Sequence, residues 1–171
     1  MSELSFEEVY RDNVRFVWRQ VRRLGVTESD VEDVCQLVFE VVHRQLPGFR
    51  GDAKLTTWLF GIVLRVVSDY RRSAYQRRRG DHDEEVDIAV PAGQHEHLER
   101  GQARALLDRL LEQLDDEKRA TFVLCELEGL EVKDVAEMMG CPVQTVYSRL
   151  RAARERLEAS ARRIRVAERA S

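Results

Sequence analysis

The sequence predicts an all-α protein: two small helical domains joined by an acidic flexible linker, the C-terminal one a helix-turn-helix. Three observations carry this. Apolar residues recur at steps of three and four along most of the chain, the period of amphipathic helices. Turn formers are sparse, with 9 Gly and 3 Pro among 171 residues, too few for a fold built from many tight turns. The period then disappears in Gly80–Gln94, GDHDEEVDIAVPAGQ, an acidic stretch as long as the ~12–15 residues beyond which loops inside compact domains become uncommon. The expected boundaries are therefore 1–79, a linker over 80–94, and 95–171.

In the first domain, Phe6, Val9, Tyr10, Val14, Val17, Val21 and Leu24 form the apolar stripe of a helix over 4–24, which Gly25 ends. Ser29 with Glu32 has the form of a capping box and opens a second helix that runs to Leu46. Val31, Val34, Val38, Val41 and Val42 point inward there, and Pro47-Gly48 stops it. Phe49–Lys54 reads as an ordered loop. Thr56 or Thr57 caps a third helix reaching Arg79, with Leu59, Ile62, Val63, Val66 and Tyr70 inward. Gly61 inside that helix costs about 1 kcal/mol relative to Ala.

In the second domain, helical sequence resumes at His95 and continues to Leu114, and Asp115-Asp116 cap the next helix, which ends at Gly129. A short helix over Val132–Met139 presents Val132, Val135, Ala136 and Met139 on one face. Gly140 supplies the sharp turn, and Pro142 opens a long helix towards Arg163, where its missing N–H costs nothing. Val146, Leu150, Ala153 and Leu157 face inward, leaving Gln144, Thr145, Tyr147, Ser148, Arg149, Arg151 and Arg154 outward. A short helix, a Gly turn and a second helix with one polar, basic face form a helix-turn-helix of the kind that enters a major groove. Arginine forks pair with guanine edges, and Ser and Arg also hold phosphate.

The net charge of −3 conceals strong segregation. Residues 54–79 hold seven basic side chains against Asp69 alone, and 142–171 carry a net +5. Residues 81–100 and 101–141 between them are net −6 and −5. Two basic blocks on one chain point to a polyanion held at two places. Catalytic arrangements are not supported, nor are metal or cofactor sites: the three cysteines, Cys35, Cys125 and Cys141, are far apart, His95-x-His97 has no Cys nearby, and no phosphate-binding glycine loop occurs. Cys141, preceding Pro142 at a helix start, is the thiol placed to favour a thiolate. An odd count of dispersed thiols suits a reducing cytoplasm. The longest apolar run, Trp58–Leu64, is interrupted by Gly61 and falls far below the ~18 residues of a membrane span.

With these motifs set out, the C-terminal stretch 130–157, LEVKDVAEMMGCPVQTVYSRLRAARERL, resembles the DNA-binding region of bacterial sigma factors of the extracytoplasmic-function type. Gly129, Leu130, Val135, Ala136, Glu137, Gly140, Pro142, Thr145, Val146, Ser148, Arg149, Leu150, Ala153 and Arg154 fall on the family's pattern. In the N-terminal half, DVEDVCQLVF (Asp30–Phe39) resembles the helix with which such factors bind the RNA polymerase clamp, and FRGDAKLTTWLFGI (Phe49–Ile62) the segment that reads the melted promoter. The resemblance implies an initiation factor that binds core RNA polymerase, engages promoter DNA both duplex and melted, and is held by an anti-sigma factor. It assigns Asp33, Gln36, Phe39 and Arg44 to the polymerase. Phe49, Arg50, Asp52, Lys54, Thr57, Trp58, Arg65, Asp69, Arg71 and Arg72 go to the minus-ten element, with Arg77–Arg79 as further candidates for phosphates. Gln144, Thr145, Tyr147, Ser148, Arg149, Arg151 and Arg154 go to the minus-thirty-five element. The chain departs from the family's usual residues at Leu37, Gly61, Leu64-Arg65, Gln144 and Tyr147, positions that can tune partner or promoter choice. The competing reading is a two-domain helix-turn-helix regulator outside the polymerase, in which the Phe49–Trp58 segment has no role.

Overall fold

A computed structural model describes residues 4–80 and 95–170. The rest of the expected linker, 81–94, and the side chains of Arg77–Arg79, His95 and His97 lie outside the described residues. The chain divides into two compact units, 1–83 and 84–171, each packed on itself. The described residues contain helices and no strands.

In the first unit, α1 (Phe6–Arg23), α2 (Val31–Gln45) and α3 (Leu55–Gly80) pack pairwise. Their core holds Val9, Val17, Val21, Val34, Val38, Leu59, Phe60, Ile62 and Val63, all nearly inaccessible. The capping box lies at the start of α1, where the Ser5 hydroxyl accepts from the Glu8 N–H and the Glu8 carboxylate returns to the Ser5 N–H. The box expected at Ser29 and Glu32 does not form. Glu28–Asp30 is a 3₁₀ turn ahead of α2, so Ser29 lies inside a turn rather than before a helix, and it donates to Asp30 instead. The Asp30 carboxylate also accepts from the Tyr70 hydroxyl of α3, tying the turn to the third helix.

α1 ends in carbonyls that no helical N–H can reach. Arg71 of α3 reaches across, its Nη1 donating to the Leu24 carbonyl at 2.8 Å and approaching that of Gly25 at 3.5 Å. Gly25, at φ 89°, turns the chain away in the left-handed conformation glycine tolerates.

In the second unit, α4 (His95–Glu112), α5 (Asp116–Phe122), α6 (Val132–Met138) and α7 (Val143–Ala170) enclose Leu111, Leu114, Leu124, Val135, Val146, Leu150 and Ala153. Asp115 caps α5 as expected, accepting from the Lys118 N–H at 2.9 Å and from its ammonium. Burial alone would raise the Asp115 carboxyl. The hydrogen bonds and charge of Lys118, with a contribution from Arg149, outweigh that and hold it below the usual carboxylate range. α5 runs into a single π-helical turn, Val123–Leu127, rather than continuing regularly to Gly129.

Arg119, 5% exposed, donates from Nε to the Leu111 carbonyl at 2.8 Å and from Nη2 to that of Leu114 at 3.2 Å. Each unit thus uses an inward-turned arginine to satisfy a helix C-terminus, and the helix dipole favours a cation there.

Cys35 is buried in α2, and burial pushes its thiol up to about 11. A thiol raised above its unfolded value contributes stability that is complete below pH 9 and is lost as pH rises towards about 11. Iodoacetamide at pH 8 is expected to leave Cys35 unmodified in the native protein, as read by mass spectrometry. Cys35 labelling at the rate of an unfolded control would contradict its burial.

Candidate nucleic-acid interface

The helix-turn-helix is built from α6, Gly140 and α7. Gly140 sits at φ 60° with open space where a Cβ would lie, so it is needed for its backbone conformation and not for close packing. Pro142 is one residue outside the expected helix start: α7 begins at Val143, and the Pro142 carbonyl accepts from the N–H groups of Thr145 and Val146. Val146, Leu150 and Ala153 are buried, as the pattern required, and Leu157 is half-buried.

Gln144, Tyr147, Ser148, Arg151 and Arg154 are exposed, with Tyr147 53% accessible, and Thr145 is half-buried. The arginines divide. Arg151 is open to solvent beside Glu155 of the next turn. Arg154 is paired with Glu126 of the π turn that follows α5. Arg149 does not project as expected. Its side chain is 19% exposed, and its Nη2 is 2.5 Å from the Glu117 carboxylate in the first turn of α5. The cause is packing: α5 is the main neighbour of α7 and presents acid where Arg149 lies.

In the first unit, the loop 49–54 leads into α3. Phe49 and Trp58 pack together with ring centroids 4.9 Å apart and ring planes tilted by 43°, which staples the loop to the helix. Gly51 turns the loop at φ 77° between Arg50 and Asp52, whose exposed side chains approach at 3.7 Å. Lys54 is exposed, and its carbonyl accepts the first helical bond from the Trp58 N–H. Thr56 and Thr57 therefore lie inside the first turn and cap nothing. Along α3, Trp58, Arg65, Asp69 and Arg72 fall at spacings of seven, four and three, one helix face, and the last three are exposed. Arg71 departs from its expected place on that face, because it is the residue turned in to cap α1.

On α2, Asp33, Gln36 and Arg44 are exposed as expected, but Phe39 is 5% exposed. Its ring packs against Tyr10 at 4.7 Å and Phe6 at 6.4 Å, edge to face. Phe39 is core, not surface. The apolar residue that α2 does expose is Leu37, 47% accessible. Asp33, Gln36, Leu37, Glu40 and Arg44 make one exposed stripe at helical spacing. Beside it runs an open groove of about 730 Å³ lined by Tyr10, Trp18, Gln36, His43 and Arg44, with Phe39 at its floor. Leu37 was legible as a departure from a pattern, but only the packing of α2 shows that it faces out.

A helix-turn-helix unit and a three-helix unit whose third helix begins at an aromatic-pinned loop define the class: a two-part, all-helical DNA-binding architecture. Residues 9–78 match the family "Sigma-70 region 2" and residues 104–157 match "Sigma-70, region 4". The chain belongs to the sigma-70 family, within its extracytoplasmic-function type, and is a transcription initiation sigma factor. It is 33% identical over 144 residues to the ECF RNA polymerase sigma-E factor of Haemophilus influenzae, covering 78% of this chain and 75% of the relative. It is 34% identical over 149 residues to that of Escherichia coli K12, covering 78% and 74%. Among solved structures, CnrH in complex with the cytosolic domain of CnrY is 26% identical, with TM-score 0.61 over 91% of this chain and 86% of that one. RpoE of Bartonella quintana, in complex with the anti-sigma factor NepR, is 22% identical with TM-score 0.64 over 88% and 94%, a likeness of fold. The competing reading, a regulator outside the polymerase, is not favoured. Among the described residues, no helix is long and apolar enough to cross a membrane.

Proposed function

We propose that residues 1–79 bind core RNA polymerase and read the melted minus-ten element, that 95–171 grip the minus-thirty-five duplex, and that 80–94 connect them. One observation carries this reading: a single chain matches region 2 and region 4 in that order and carries a basic segment in each. Polymerase contact runs along the α2 stripe, through Asp33, Gln36 and Arg44, with Leu37 as its apolar anchor in the role first given to Phe39. Interfaces join such an anchor to a polar rim. Phe49, Arg50, Asp52, Lys54 and Trp58, with Arg65, Asp69 and Arg72 along α3, take the opened strand, where extruded bases stack on aromatic rings and phosphates meet arginines. Thr57 lies beside Trp58 at the same end of α3.

On α7, Gln144, Thr145, Tyr147, Ser148, Arg151 and Arg154 face the duplex. Arg151→Ala is expected to cost about 1–3 kcal/mol if it reads a base, with loss of preference at one position. A set of single base-pair substitutions in the upstream element measures this, and unchanged affinity and preference would remove Arg151 from the interface. A separate anti-sigma factor in a reducing cytoplasm is the proposed regulator, in line with the complexes in which the solved relatives were found. Run-off transcription by core polymerase with and without the chain tests the whole reading: start-site-specific transcripts are expected only when the chain is added.

A further inference from the structure

We propose that Glu117 is a positioning residue for promoter recognition, holding Arg149 so that the start of α7 is set against α5, and that Arg149 serves as a strut rather than as a reader of DNA. This rests on the reading of α7 as the recognition helix. Arg149 lies in the second turn of α7, where a base-reading arginine would be expected, yet its side chain is only 19% exposed. Its guanidinium meets the Glu117 carboxylate through Nη2 at 2.5 Å, and its Nη1 lies 3.6 Å from Cys141 Sγ at the turn. It also lies within the field of the Asp115 carboxylate at the α5 N-cap. One guanidinium thus joins three points: α5, the turn and the recognition helix. A fork occupied by a carboxylate in this way is not open for a bidentate guanine contact. The pair instead fixes where Ser148 and Arg151, its exposed neighbours on α7, are presented.

The two roles differ in sign at Glu117, whose side chain is 68% exposed. If Arg149 touched DNA, removing the acid would release the arginine, lessen repulsion of phosphate and strengthen binding. If Glu117 positions Arg149, removing it weakens binding. The experiment uses the full chain assembled with core RNA polymerase and a fluorescent duplex bearing the upstream element that the wild-type assembly selects from a randomised pool. Glu117→Gln and Arg149→Met are each expected to weaken binding by roughly five- to tenfold, and the double variant no further than Arg149→Met alone. The slope of affinity against salt stays as in the wild type, because no phosphate contact is lost. Binding by Glu117→Gln as tight as wild type or tighter, or a salt slope lowered by about one phosphate in Arg149→Met, would overturn the proposal. Should Arg149→Met fail to fold by circular dichroism, the sign and slope of Glu117→Gln decide alone. Ser148→Ala and Arg151→Ala, measured alongside, separate the two levels. If they weaken binding and Glu117→Gln does not, the positioning role alone falls. If they leave the selected sequence and affinity unchanged, α7 is not the reader and both readings fall.

Discussion

Replacing Arg119 with Leu is expected to destabilise the second unit severely while leaving the first intact. The substitution leaves the carbonyls of Leu111 and Leu114 without their charged donor in a site where Arg119 is 5% exposed. A hydrogen bond to a charged group contributes about 1.5–3 kcal/mol, so losing both costs about 3–6 kcal/mol. That is a large part of the ~5–15 kcal/mol that stabilises a typical domain. In a unit of this size the melting temperature falls by more than about 10 °C. Hydrogen exchange read by mass spectrometry locates the effect: amides of α4, α5 and α7 exchange fast, while those of α1–α3 keep their protection. A variant with wild-type melting would show that Arg119 is not the clamp on α4.

Phe39→Ala is the second large effect, and it separates core from interface. Phe39 packs edge to face on Tyr10 and Phe6 beneath the α1–α2 groove. Deleting a buried Phe costs about 3–5 kcal/mol. The variant is therefore expected to lose helical signal and polymerase binding together. Gln36→Ala combined with Leu37→Asp changes two exposed residues and leaves the core intact. It is expected to keep its circular dichroism and melting temperature while its affinity for core polymerase falls by at least about tenfold, since an interface anchor contributes ~2 kcal/mol or more. Native melting by Phe39→Ala would return that ring to the interface. Native binding by the double variant would move the polymerase contact off this stripe.

The fold was legible because its signals are periodic. Val31, Val34, Val38 and Val42, or Val146, Leu150 and Ala153, announce a buried face by spacing alone, and all are buried. The Gly140 turn and the Asp115 cap were legible because each answers a local need of the backbone. What spacing could not supply was the fate of individual arginines. Arg71 and Arg119 look like their solvated neighbours in the sequence. They turn inward because helix ends leave carbonyls 47 and 8 residues upstream within reach, a tertiary fact. Phe39 is core rather than interface for the same reason: only the packing of α1 on α2 decides which side of α2 faces out. Ser5–Glu8 had the capping-box pattern as clearly as Ser29–Glu32. Only the 3₁₀ turn at Glu28–Asp30 distinguishes them.

The central claim is that two modules on one chain read two promoter elements separately. Its most direct test exchanges Phe49–Lys54 for the loop of another factor of this type and assays open complexes formed with core polymerase on a promoter from upstream of the chain's own gene. The loop is fixed by the Phe49–Trp58 ring contact at one end and the start of α3 at the other, so it presents a preformed surface. Permanganate reactivity and a base-substitution series across the minus-ten element are expected to show a changed base preference in the melted strand, with protection of the minus-thirty-five duplex unaltered. An unchanged minus-ten preference, or loss of upstream protection along with it, would contradict the account.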